Sequence, residues 1–204
     1  MSNFHGVRTA ERRAEVEAAI LSAAEELLEE GASFPQLKVE EIARRAGIGR
    51  TGFYFYFRDK RALLMRLAED VAEALWEQSD RWWHGEGDGA EELREIVGPV
   101  VRLWMRHAAV LSAVVQAAGY DETVRDFWRS LAARFAEATR ERLEREQAEG
   151  RAESVPSAET AFALVWMTER ACYQHVEQGA GDPQPLIEAL TGIWLRSVYG
   201  RLTY

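Results

Sequence analysis

Seven basic side chains, Arg44, Arg45, Arg50, Arg58, Lys60, Arg61 and Arg66, crowd one short segment in which Asp59 is the sole acid. Guanidinium and ammonium groups at that density suit phosphate binding, where they displace counterions from a polyanion. Among them stand Thr51, Tyr54 and Tyr56, whose hydroxyls can hydrogen-bond phosphates or base edges. The whole chain carries a net charge of −9. An acidic body with one basic segment is the pattern of a protein that touches nucleic acid at one end. A solvated helix face can have the same composition, so charge alone leaves both readings open.

Other chemistry is sparsely supported. Cys172 and His175 lie three apart, a nucleophile–base spacing, but no third group or oxyanion element accompanies them. His84, Glu86 and Asp88 could bind a metal, yet they sit in a glycine-rich loop without a known ligand spacing. Cys172 is the single cysteine, which rules out an internal disulfide and a cysteine zinc site. No glycine motif for cradling phosphates occurs. The reading is therefore a non-enzyme with no cofactor and no metal. Neither a signal-peptide core nor a membrane span is visible, and a cytoplasmic location is expected.

The elements that must position these residues are helices. Thr9 is the expected N-cap of a first helix with Val16, Ala19, Ile20, Ala23, Ala24, Leu27 and Leu28 on one face. A loop with Gly31 and Pro35 leads to a short helix over 39–46. Gly47-Ile48-Gly49 turns the chain into a second short helix over 50–57, and Asp59 caps a long helix striped with Leu63, Leu64, Leu67, Val71 and Leu75. Helical patterns resume over 90–105, 107–118, 121–149, 157–178 and 183–199. No alternating strand pattern appears. The fold class is all-α, with a helix-turn-helix head over 1–66 and a helical body over 67–204.

In the helix-turn-helix, Ile42, Ala43 and Ala46 pack inward, and Gly47 supplies the positive φ of the turn. The start of the second helix, with Arg50 and Thr51, would enter a major groove. Five aromatics in succession cannot all face one core. Phe53 and Phe57, four apart, make the inward pair, while Tyr54 and Tyr56 point elsewhere.

Val39-x-x-Ile42-Ala43, Ala46-Gly47-Ile48, Phe53-Tyr54-x-Tyr56-Phe57 and Lys60-x-x-Leu63-Leu64 resemble the tetracycline-repressor (TetR) family over about 50 residues. The resemblance implies three or four DNA-binding helices followed by an effector-binding and dimerisation domain. It places DNA contacts at Arg50, Thr51, Gly52, Tyr54 and Tyr56, and a phosphate contact at Lys60. Gly49 departs from the usual Ser or Thr cap, and Thr51-Gly52 from the usual pair, so the base contacts should differ. The Phe53–Phe57 run, Met167-x-Glu169-Arg170 and Ile193-Trp-x-x-Ser-Val-Tyr-Gly200 further resemble the EthR-like subgroup. That subgroup has an aromatic-lined pocket for apolar ligands. Its pocket asparagine falls at Thr168 here.

All seven tryptophans follow residue 75. Each can fill a core, but together they suit an aromatic pocket, whose expected lining is Trp104, Trp128, Phe135, Trp166, Thr168, Tyr173 and Trp194. The stretch Ala161–Met167 is apolar right around its helix, so one side should face the pocket and another a second subunit. With the last helix it would form a four-helix homodimer interface through Leu164, Ala171, Leu186, Leu190 and Ile193. The expected partners are a palindromic double-stranded DNA operator, an apolar effector and a second copy of the chain, with no membrane. The expected function is a ligand-responsive repressor. An effector-independent DNA-binding protein and an all-α small-molecule-binding protein or enzyme are the alternatives.

Overall fold

The computed structural model describes the backbone of residues 3–200 and the side chains of residues 11–200. Apolar residues three and four apart give nine helices among the described residues, and no strand. The first, α1 (Asn3–Glu29), starts earlier than the sequence suggests, so Thr9 lies inside it and is not its cap; the Thr9 side chain is outside those described. Ile20, Ala23, Ala24 and Leu27 form its buried face.

The next two helices are short. α2 (Val39–Arg45) carries Glu40 and Glu41 in its first turn and Arg44 and Arg45 in its last, matching its dipole. Gly47, at φ 71°, makes the left-handed turn that other residues resist. α3 is α-helical only over Arg50–Phe53, shorter than the expected 50–57. Beyond it, the N–H groups of Phe55 and Tyr56 reach back three residues, to Gly52 at 3.2 Å and Phe53 at 3.0 Å. This tighter winding is common at helix ends. It still delivers Phe53 and Phe57 to the core, with ring centroids 5.7 Å apart.

α4 (Lys60–His84) begins where the Asp59 carboxylate accepts the Ala62 N–H at 2.9 Å. Its stripe of Leu63, Leu64, Leu67, Val71 and Leu75 is buried as the spacing predicts. The stripe belongs to one apolar cluster that runs from Ile20 through Phe53 to Val198. The proposed division at 66/67 thus falls within α4. The body follows as α5 (Gly89–Arg106), α6 (Ala108–Ala118), α7 (Glu122–Ala148), α8 (Ser157–Glu177) and α9 (Gln184–Tyr199). α4 packs on α5, α6 and α7, α7 on α8, and α5 on α9.

A buried ionic knot joins four of these helices. Arg142 of α7 is fully buried between Glu146 at 2.7 Å and Glu92 of α5 at 3.2 Å, and it donates to the Gly85 carbonyl after α4. Arg151 holds the second Glu146 oxygen at 2.9 Å. Beside it Trp82 Nε1 donates to the Tyr199 hydroxyl of α9 at 3.1 Å. A Cβ at Gly89 would force Tyr199 Oη and the Arg142 guanidinium out of these positions. Removing one partner of such a set strands the others without compensation. Arg142→Ala is expected to destabilise the chain by about 3–5 kcal/mol, measured by urea unfolding at fixed protein concentration. A loss under about 1 kcal/mol, the scale of a surface pair, would show that the knot contributes little.

Candidate functional site

The head presents fewer free cations than its composition promises. Arg45 is held by Glu30 at 2.8 Å and Glu26 at 3.3 Å, tying α2 to α1. Arg61 bridges Asp59 and Asp121, both at 3.2 Å, and Arg66 pairs with Asp70 and Glu17. Arg44 remains exposed, as do Arg58 and Arg50, whose surface pairs with Asp59 at 3.5 Å and Glu40 at 2.9 Å are weak and easily exchanged.

Lys60 is placed differently from the phosphate contact that the resemblance implies. Its ammonium donates to the carbonyls of Phe34, Pro35 and Leu37 at 2.9, 2.8 and 3.2 Å, and lies 4.9 Å from the centre of the Phe34 ring. An ammonium has three donors, so all are occupied inside the chain. The loop between α1 and α2 turns its carbonyls toward the start of α4, a convergence that sequence spacing cannot reveal. Burial accordingly lowers the Lys60 pKa.

The surface of α3 and its following turn shows Arg50, Thr51 and Tyr54 exposed, while Tyr56 is half-buried against the core. Gly52 has room for a side chain: a Cβ would meet only Ile48, at 3.6 Å. Phe55, to which its place in the aromatic run assigns no role, is 76% exposed beside Tyr54. The reason is geometric: once Phe53 and Phe57 take the core, the residue midway between them must face out.

In the body a cavity of about 130 Å³ opens between α4, α5, α7 and α8. That is close to the roughly 150 Å³ of an engineered cavity that holds benzene. Of the expected lining, Trp104, Trp128, Phe135, Thr168 and Trp194 are present. Trp166 and Tyr173 are not. On α8 the inward residues are Ala161, Leu164, Val165, Thr168, Glu169 and Cys172, so Trp166 is turned outward toward Phe162, with centroids 6.2 Å apart. Tyr173 lies under the Arg170 guanidinium, 5.1 Å away. The walls also include Leu75, Trp82 and Trp83 from α4, whose part in the site the sequence did not disclose.

Most lining polar groups are satisfied within the protein. Thr168 Oγ1 donates to the Leu164 carbonyl and accepts from Trp194 Nε1, both at 2.9 Å, so its proton is not free for a ligand. Thr139 accepts from Trp83 Nε1 at 3.2 Å. Glu169 is the exception. Its buried Oε1 accepts from Trp128 at 3.4 Å, and its Oε2 accepts no hydrogen bond. Burial is the main cause that holds its carboxyl above the usual glutamate range.

The expected dimer residues divide. Leu164 and Leu190 are buried in the protomer's own core, because each falls on the inward stripe of its helix. Ala171, Leu186 and Ile193 are half-buried. The outward face of α8 and α9 shows Phe162, 60% exposed, beside a groove lined by Ala163, Met167 and Ile193.

The remaining chemistry is not assembled. Burial pushes the Cys172 thiol up to about 12, opposite to an activated nucleophile. His84 bonds Asp80 at 2.8 Å while Asp88 caps α5, and no metal-binding group of acids, histidines or cysteine occurs among the described residues. No described helix is long and apolar enough to cross a membrane.

The comparisons with known proteins cover both parts of the chain. The tetR family of bacterial regulatory proteins matches residues 20–67, and the C-terminal domain of transcriptional regulator EthR matches residues 93–200. The HTH-type transcriptional regulator EthR of Mycolicibacterium smegmatis is 30% identical over 190 residues, 91% of this chain and 87% of that protein. EthR of Mycobacterium tuberculosis is 30% identical over 191 residues, 90% of this chain and 87% of that protein. A TetR-family regulator of Syntrophomonas wolfei shares the fold, with a TM-score of 0.78 at 20% identity over 90% of this chain and 95% of that one.

Two predictions test the placements. Lys60→Ala should lower the melting temperature, and it should leave the salt dependence of DNA binding unchanged. A phosphate contact would instead reduce the slope by about 2 in a dimer. For Glu169 the folded-state pKa is raised, so the cost of its charge is absent below the usual glutamate range and complete above the raised value. The stability of Glu169→Gln relative to the parent should therefore rise as the pH increases from the usual glutamate range, about pH 4, toward neutrality. A difference that stays flat in thermal melts across that range would mean the carboxylate is not strained by burial.

Proposed function

The chain belongs to the TetR family of bacterial regulatory proteins, in its EthR-like branch, and from that membership we propose that it is a repressor released from its operator by a small apolar effector. It is a transcriptional regulator and not an enzyme. Arg50, Thr51 and Tyr54 read bases at the start of the major-groove element, and Gly52 lets the DNA backbone approach closely. Arg44 and Arg58 bind phosphates, Tyr56 supports the turn, and Lys60 holds the head together from within.

The observation that carries the reading is the span of α4. Its first turn is anchored in the head through Lys60, which donates to the carbonyls of Phe34, Pro35 and Leu37, and its last turns wall the cavity with Leu75, Trp82 and Trp83. Two further contacts fasten head to body: Arg61 to Asp121, at the start of α7, at 3.2 Å, and Glu25 of α1 to His107, between α5 and α6, at 2.8 Å. A ligand that wedges the cavity open moves the rod that sets the spacing of two heads on a pseudo-palindrome. Shifting such a balance from 1:99 to 99:1 takes about 5.5 kcal/mol of preference for the released state. A second copy packs on the outward face of α8 and α9 through Phe162, Met167, Ala171, Leu186 and Ile193. The 1–66 and 67–204 division is functional, reader and sensor, on a continuous core.

Ala132 lines the cavity, so Ala132→Trp fills it from the protein side. The variant should either bind operator weakly without ligand or bind it and no longer respond. Wild-type operator affinity together with a full response, by fluorescence anisotropy, would refute the cavity as the sensor.

Assembly is tested by contrast. Ile193→Glu should give folded monomers in sedimentation, whereas Leu190→Glu should unfold the protomer, because Leu190 is 2% exposed within its own core. A Leu190→Glu variant that is folded and monomeric would move the interface back to that residue.

A further inference from the structure

The walls of the effector cavity carry an inference about ligand class, one that rests on the sensor reading above. Each hydroxyl that faces the cavity already has a partner within the protein: Ser79 donates to the Leu75 carbonyl at 3.0 Å, Thr168 donates to Leu164 at 2.9 Å, and Thr139 accepts from Trp83 at 3.2 Å. Such groups offer an incoming molecule little. The Glu169 carboxylate stands in the same wall, 7% exposed, with Oε2 lacking any hydrogen bond. The neighbouring guanidinium, Arg170 Nε, makes a long ion pair with that oxygen at 3.6 Å, beyond hydrogen-bonding range. It is half-exposed and turned over the Tyr173 ring, outside the cavity.

A buried carboxylate oxygen without a donor is costly, and the group that relieves it best brings both an N–H and a positive charge. The rest of the wall suits the same guest, since Trp104, Trp128 and Trp194 surround the space and indole faces attract cations. We propose that Glu169 makes this cavity a site for a hydrophobic ammonium ion: an aromatic or aliphatic body of modest size carrying one protonated amine. The amine donates to the Glu169 carboxylate while the body fills the apolar space. An organic anion is repelled by the same carboxylate. A neutral hydrocarbon leaves Oε2 unsatisfied. Burial that raises the Glu169 pKa in the empty cavity is offset once the cation is bound.

The test compares 2-phenylethylammonium with its neutral isostere propylbenzene by calorimetric titration of the full chain at neutral pH. The ammonium should bind at least about tenfold more tightly, the value of one charge-assisted hydrogen bond. In Glu169→Gln, checked for folding by circular dichroism, the ratio should fall close to one. Equal or tighter binding of propylbenzene to the parent overturns the proposal without recourse to any variant, and so does a ratio that Glu169→Gln leaves in place. Operator release, read in parallel on a duplex selected from random sequence, separates this idea from the sensor reading. Ammonium binding that depends on Glu169 but never releases DNA upholds the site and refutes the sensor. Release by propylbenzene with no ammonium preference upholds the sensor and overturns the site.

Discussion

The structure depends on α4 remaining one unbroken helix with its apolar stripe buried from end to end. Leu63 and Leu64 close the core of the head, Val71 and Leu75 close the middle, and Trp82 and Trp83 close the far end of the body. A helix buried along its whole length cannot bend at one end without disturbing packing at the other, because close-packed interiors yield in discrete steps. The Asp59 cap fixes its start, and the Arg142 knot with the Gly85 carbonyl fixes its finish. Head and body therefore share one core. What separates them is the chemistry of their surfaces, not a seam in the packing.

The cations of the head illustrate how a charge count misleads. Arg45, Arg61 and Arg66 satisfy carboxylates within the chain, and Lys60 satisfies three carbonyls. These residues tie the elements of the head together, and they leave Arg44, Arg50 and Arg58 to face outward. A DNA-reading surface is thus held rigid by the same residue types that would contact DNA. Which cation does which task is set by the distance to an acid or a carbonyl.

The cavity shows a comparable economy in polar groups. Two of its tryptophan N–H groups are paired with threonine hydroxyls, so Trp83 with Thr139 and Trp194 with Thr168 hold the walls in place. The side chain left over is Glu169, on which the proposed selectivity rests. In so apolar and aromatic an enclosure a single carboxylate can discriminate strongly, because its charge is weakly screened.

Sequence alone determined the all-α class, the helix order, the Gly47 turn, the Asp59 cap and the inward pair Phe53 and Phe57. Each of these is local: periodicity, a glycine at positive φ, or a side chain bonding a backbone group three residues away. The family signature over the helix-turn-helix was legible for the same reason. Five of the seven expected cavity residues were also found, since bulky aromatics on a helical stripe tend to face the core. Tertiary structure alone decided the rest. Trp166 faces out and Glu169 in because the orientation of α8 is set by its packing on α7 and α9, and a helix that is apolar all round carries no mark of its own inside. Leu164 and Leu190 belong to the protomer for the same reason. Lys60 turns inward because a loop some 25 residues earlier brings three carbonyls to it. Contacts between elements distant in the chain depend on the path of the backbone in space, and residue spacing along the sequence does not encode that path.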